Sequence, residues 1–126
     1  MELPLQQQTI EAEDALAVQE LFFQNEWTDG LPVVPPTKNK IEAMLNAVPM
    51  DPQTIIGAIP ERGCVFTLEV AAINSVMAGC LPEYFPVVVT AVSAISDPAF
   101  GLHGPSASTH GPAILIIVNG PVAHAI

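Results

Sequence analysis

The spacing of apolar residues predicts two amphipathic helices in the first third of the chain. The clearer pattern has apolar side chains at i, i+3, i+4 and i+7, namely Ile41, Met44, Leu45 and Val48. Thr37 is the predicted N-cap of this helix, and Pro49 ends it. An earlier helix is predicted from Thr9 as N-cap to about Asn25, because acidic residues in its first turn suit the positive end of the helix dipole.

Two short strands and a third helix are predicted in the middle of the chain. β-branched residues at 54–59 predict the first strand, and the stretch 64–66 predicts the second. The third helix is predicted from Thr67 as N-cap to Ala78, with Glu69 in its first turn. Its small and apolar residues are typical of a central, closely packed helix.

A fourth helix is predicted over residues 83–95. The β-branched sequence in this range makes a strand the alternative. Pro82 and Pro86 fit the start of a helix better than the interior of a sheet, and we therefore favour the helix.

Residues 113–118 are the longest strongly apolar run in the chain, bounded by Gly-Pro before and Asn-Gly-Pro after. A run that is apolar on both faces predicts a central strand. We therefore predict an α/β fold, with helices packed on a small mixed or parallel sheet, as a single compact domain spanning residues 1–126.

The composition excludes disorder and disfavours nucleic acid as a partner. Half of the 126 residues are hydrophobic, and the mean hydropathy is +0.45. Thirteen acidic residues against three basic ones give a formal charge of −10, which repels a phosphate backbone.

Charged residues are rare in the second half of the chain. Beyond Arg62, the only charged side chains are Glu69, Glu83 and Asp97. Because monomers rarely expose large apolar patches, this half is either wrapped by the first half or buried against other subunits, and we expect a homo-oligomer.

The sequence predicts a cytoplasmic protein with no membrane partner. The start of the chain lacks the basic and apolar regions of a secretory signal, and no apolar run approaches the ~20 residues of a bilayer-crossing helix. Without a signal, Cys64 and Cys80 are interpreted as reduced thiols.

Cys80 is the first candidate for chemistry. It lies between Gly79, which suits a left-handed helix C-cap, and Pro82, which suits the first turn of the next helix. The positive end of that helix would favour a thiolate. The structural alternative is a small buried hydrophobic residue, because no Lys or Arg lies nearby in the sequence.

The loop from His103 to His110 is the second candidate. Its histidines, hydroxyls and glycines can supply a general base, two metal ligands or donors to an oxyanion, although their spacing matches no established zinc motif. A metal site would need a further ligand such as Glu83 or Cys80. The alternative is a surface turn in which the histidines have no role.

Three functional hypotheses follow. The first is a small-molecule enzyme with Cys80 as nucleophile or redox thiol, His103 or His110 as base, and Asp29 or Glu83 as the orienting carboxylate. The structural alternative for Asp29 is a residue that only shapes a predicted turn at Asp29-Gly30. The second is a metal-dependent site on the histidine loop, and the third is a noncatalytic oligomeric structural or assembly module. The absence of phosphate-loop, C-x-x-C and H-E-x-x-H motifs argues against a nucleotide hydrolase, a thioredoxin-type dithiol and a zincin. We predict no cofactor, and no substrate is indicated.

Three blocks of the sequence resemble a known family. They are T-D-G-L-P-V-V-P-P-T at 28–37, M-A-G-C-L-P-E-Y-F-P-V-V at 77–88 and L-I-I-V-N-G-P at 115–121. Together they resemble a poorly characterised bacterial family associated with thiol or selenol proteins named for a U-G-S-C motif. That motif is absent from this chain. The resemblance implies a thiol role and, since members continue beyond the third block, a truncated member of the family.

Overall fold

This computed structural model describes residues 5–126, which contain five helices and one β-hairpin. The helices are α1 (Ala15–Gln24), α2 (Lys38–Leu45), α3 (Leu68–Met77), α4 (Phe85–Ile95) and α5 (His103–Ser106), and the strands are β1 (Ile55–Ile59) and β2 (Cys64–Thr67). Single 3-10 turns lie at Pro60–Arg62, Pro82–Tyr84 and Pro121–His124. None of the helices in this range has both the length and the apolar character needed to cross a bilayer.

The first helix begins later than predicted. Asp14, not Thr9, is the N-cap of α1, and its carboxylate accepts a hydrogen bond of 2.8 Å from the Ala17 amide. Aspartate is the stronger capping residue, and the five residues between Thr9 and α1 therefore stay outside the helix. The predicted end is confirmed, since Asn25 is the C-cap.

The other three predicted helices also form, although α2 ends at Leu45, before Pro49, and α4 begins at Phe85. Thr37 and Thr67 occupy the N-cap positions of α2 and α3, and the Thr67 hydroxyl accepts a 3.3 Å hydrogen bond from the Val70 amide. Helix, not strand, is confirmed for α4, with Pro86 in its first turn. These helices and β1 enclose the core, which comprises Ile41, Met44, Leu45, Val48, Ile56, Leu68, Ala72, Val76, Phe85 and Val89.

Both short strands are confirmed, and they pair with each other. β1 and β2 form a two-stranded antiparallel hairpin in which Ala58 lies opposite Val65. The general prediction of helices packed with a small sheet is therefore correct. The predicted mixed or parallel arrangement is wrong. A tight connection that ends at Gly63, with φ of 61°, reverses the direction of the chain between β1 and β2, and the two strands therefore run antiparallel.

The α4 helix lies directly against β1. The Ser93 hydroxyl donates a 2.9 Å hydrogen bond to the Ile56 carbonyl. A Cβ atom at Gly57 would lie 2.8 Å from the Ser96 Cβ and would collide with its hydroxyl. Glycine at this position therefore permits the close approach of helix and strand.

The predicted central strand is not a strand. Residues 113–118 have no regular secondary structure, are exposed and make no backbone hydrogen bond to any part of the described chain. A two-stranded hairpin has no interior position that could cover a segment on both faces. We call residues 113–118 the apolar segment below.

Candidate functional site

Cys80 sits at the C-terminal end of α3 in a Schellman motif. The Cys80 amide donates to the Ser75 carbonyl at 2.9 Å, and the Gly79 amide donates to the Val76 carbonyl at the same distance. Gly79 has φ of 81°, which confirms the predicted left-handed cap. In this motif, the residue after the glycine commonly makes an apolar contact with the last turn of the helix. Cys80 is partly buried and packs against the core.

The chain after Cys80 differs from the predicted helix start. A 3-10 turn, Pro82–Tyr84, comes first, and α4 begins only at Phe85. Cys80 is therefore separated from the first turn of α4 by a whole turn of chain. Glu83 lies exposed within this 3-10 turn.

The strip of residues 28–37 runs beside the Cys80 junction. The Val34 amide donates a 3.1 Å hydrogen bond to the Met77 carbonyl, and a Val34 methyl would lie 3.8 Å from a Cβ placed on Gly79. Two of the three sequence blocks, at 28–37 and 77–88, are thus adjacent in space.

Asp29 shapes a turn in that strip. Its carboxylate accepts a 3.2 Å hydrogen bond from the Leu31 amide, and Gly30 has φ of 108°. The predicted turn at Asp29-Gly30 is confirmed. Asp29 is exposed, and within residues 5–126 its carboxylate makes no hydrogen bond to Cys80 or to a histidine.

His103 and His110 lie in different surroundings. His103 opens the short helix α5, where a loop was predicted, and lines a cleft of about 300 Å³ between the hairpin turn and the end of α4. Glu61 and Asp97 line the same cleft. His110 is exposed outside this cleft, and its amide donates to the Ser108 hydroxyl at 3.2 Å.

Within one copy, α4 separates Cys80 from the His103 cleft. Cys80 precedes α4, whereas the cleft is lined by Ile95 and Ser96 at the helix end. Eleven residues of α-helix span ~16 Å. A direct contact between the Cys80 thiol and the His103 imidazole across that length is excluded.

The described residues do not assemble a metal centre. Within residues 5–126, no three side chains of His, Cys, Asp or Glu converge closely enough to hold an ion. Glu61, Asp97 and His103 share the cleft wall without converging on one point.

Glu69 is the polar residue whose role the sequence did not reveal. Its side chain is 0% exposed, and its carboxylate accepts hydrogen bonds from the Gln6 amide at 3.0 and 3.2 Å and from the Gln7 amide at 3.1 Å. The Gln53 side chain donates at 2.5 Å. Leu5 packs on the core beside this carboxylate. Glu69 thus holds the beginning of the chain against α3.

Alkylation should reach Cys64 before Cys80. Cys64 is exposed at the start of β2, whereas Cys80 is partly buried against the core. With iodoacetamide at near-neutral pH, we expect Cys64 to react several-fold faster, because access of the reagent limits the reaction at Cys80. Peptide mass spectrometry over a time course measures both rates. The single variants Cys64→Ser and Cys80→Ser assign them, and a faster Cys80 would indicate an activated thiol instead.

No family model, no curated protein and no solved structure matches this chain. The resemblance to the bacterial thiol and selenol family therefore depends on the three sequence blocks. Of these, 28–37 and 77–88 meet at the Cys80 junction, and 115–121 begins within the exposed apolar segment.

Proposed function

We propose that this chain is a noncatalytic structural or assembly module that works as a homo-oligomer, with its low-charge second half as the interface. The exposure of the apolar segment carries this proposal. Leu115 is 82% exposed, and Ile117, two residues further on, is 73% exposed. Contiguous apolar surface of this kind marks an interaction site in soluble proteins.

The charge distribution supports the same interface. The formal charge of −10 opposes contact between copies over most of the surface. Residues 98–126 contain no Asp, Glu, Lys or Arg, so this part of the chain can meet a second copy without placing like charges together.

A negative charge in the apolar segment should dissociate the oligomer. We expect Leu115→Glu to lower the mass in sedimentation velocity to that of a monomer, because burying an unpaired carboxylate in an apolar contact is strongly unfavourable. Leu31→Glu is the matched control, since Leu31 is 69% exposed but lies in the first half of the chain. It should leave the mass unchanged.

Sedimentation velocity of the unmodified chain also tests the proposed oligomeric function itself. The unmodified chain should sediment as an oligomer over about 1 to 100 μM. A stable monomer across that range would remove the proposed function. Equal dissociation by both glutamate substitutions would show that the interface is not confined to the second half.

A catalytic role is the second proposal. Cys80 would act as nucleophile or redox thiol on a small molecule, with His103 or His110 as base. The His103 cleft, with Glu61 and Asp97 in its wall, supports it. Because α4 separates Cys80 from this cleft within one copy, the histidine would come from a neighbouring copy. A Cys80 that reacts with iodoacetamide faster than Cys64 would favour this proposal.

We also propose membership of the bacterial thiol and selenol family and a cytoplasmic location. The adjacency of blocks 28–37 and 77–88 supports the first, since residues that define a family often lie together around a shared structural feature. The two cysteines without a disulfide support the second.

A further inference from the structure

We infer that the apolar segment, residues 113–118, docks as an added strand on the free edge of β2 in a second copy of the chain. The inference rests on the proposed function, because it assigns the contact through which the second half associates. Strand addition to an exposed sheet edge is an established mode of recognition, in which main-chain hydrogen bonds supply affinity and alternate side chains supply specificity.

The apolar segment already has the side-chain alternation of a strand. The exposed fractions are 48% at Ile114, 82% at Leu115, 57% at Ile116, 73% at Ile117 and 38% at Val118. Lower and higher exposed fractions thus alternate along the segment, which is the periodicity of a strand. The backbone of residues 111–119 makes no hydrogen bond within the described chain. Docking therefore satisfies these groups without rearranging any element.

The hairpin offers one free edge. On the β1 side, the Ile56 carbonyl accepts from Ser93, and Gly57 lies against Ser96, so α4 occupies that side. On the β2 side, no third strand pairs within residues 5–126, and Cys64 and Val65 at the start of β2 are exposed. An unpaired edge of this kind is a template for another strand.

The free edge matches the apolar segment in character. β2 has the sequence Cys-Val-Phe-Thr, which carries no charge, and Val65 is 53% exposed. β-branched and aromatic side chains on neighbouring strands pair favourably. Both surfaces are uncharged in a strongly acidic chain, and contact between them avoids the repulsion that disfavours other arrangements.

Reciprocal docking pairs two segments with two receiving edges. In a twofold dimer, each copy would donate its segment and receive the other. The exposed apolar side chains of both segments would then be covered in part at two equivalent contacts.

Proline within the segment should weaken the dimer through the backbone. We expect Ile116→Pro to raise the dissociation constant measured by sedimentation about tenfold or more, because it removes an amide donor from the middle of the added strand. Since residues 111–119 make no hydrogen bond within the described chain, the secondary structure of each copy, measured by circular dichroism, should be unchanged. Thr109→Pro, outside the segment, is the matched control and should associate normally.

The same measurements separate this inference from the proposed function. If Leu115→Glu dissociates the oligomer and Ile116→Pro does not, the second half is the interface but strand addition is wrong. If the unmodified chain is a monomer, both are wrong.

Cross-linking between two different chains identifies the receiving copy. One chain keeps Cys64 as its only thiol through Cys80→Ser, and the other carries Ile116→Cys with Cys64→Ser and Cys80→Ser. A short bismaleimide should join the two chains, as measured by mass spectrometry of an isotopically mixed sample.

Docking on the chain's own β2 is the competing arrangement, because Ser106 of α5 lies 3.5 Å from Arg62 at the hairpin turn. A single chain with both thiols that cross-links only internally, at every concentration, would overturn the inference.

Discussion

Replacement of Phe85 by alanine should lower the free energy of unfolding by about 3 to 5 kcal/mol, which is the usual cost of emptying a fully buried phenylalanine site. Phe85 is 0% exposed at the first turn of α4, where it joins the core formed with α2 and α3. Domains of this size have ~5–15 kcal/mol in total, so the variant should approach the limit of folding. Urea unfolding followed by circular dichroism measures the change.

A second phenylalanine provides the control for this substitution. Phe23 lies in α1 and is 56% exposed, and Phe23→Ala removes the same atoms without opening a cavity. We expect a change within about 1 kcal/mol. Similar losses for both variants would mean that Phe85 does not occupy a closely packed core.

The helices and strands that local chemistry defines were predictable. Thr67 as N-cap and Gly79 as left-handed cap fixed the ends of α3, because both act on backbone groups within a few residues. Prolines at the start of α4 decided between helix and strand for the same reason. Such signals need no knowledge of the rest of the fold.

The environment of the apolar segment was not predictable. Its composition is that of a buried strand, but its residues are exposed. Burial, however, requires partner strands on both sides, and no sequence pattern within the segment shows whether one copy of the chain supplies them. The prediction of a central strand therefore failed because the described chain supplies no partner strand for the segment.

The candidate site, too, was predictable only where adjacent residues define it. The turn at Asp29 and the cap before Cys80 were predicted, because each is defined by adjacent residues. The separation of Cys80 from His103 depends on the length and direction of α4, and only the fold reveals it. Glu69 gave one local signal, its place in a first turn, whereas its partners lie 62 and 63 residues away.

Removal of the Glu69 carboxylate should release the beginning of the chain and destabilise the fold. We expect Glu69→Ala to lower the free energy of unfolding by about 3 kcal/mol, because hydrogen bonds to a charged group contribute ~1.5–3 kcal/mol each and are not additive. The freed Gln6 and Gln7 amides should lose their protection against hydrogen exchange. Urea unfolding and exchange mass spectrometry measure the two effects.

Two variants separate the roles of charge and shape at this position. Glu69→Gln keeps one acceptor oxygen but places an amide N–H group opposite N–H groups that donate to the carboxylate. It should therefore lose stability, but less than Glu69→Ala does. Glu83→Ala removes an exposed carboxylate from a 3-10 turn and should change stability by less than about 0.5 kcal/mol. Retained exchange protection at Gln6 and Gln7 in Glu69→Ala would show that Leu5 and its apolar contacts, and not the buried carboxylate, hold the beginning of the chain on the core.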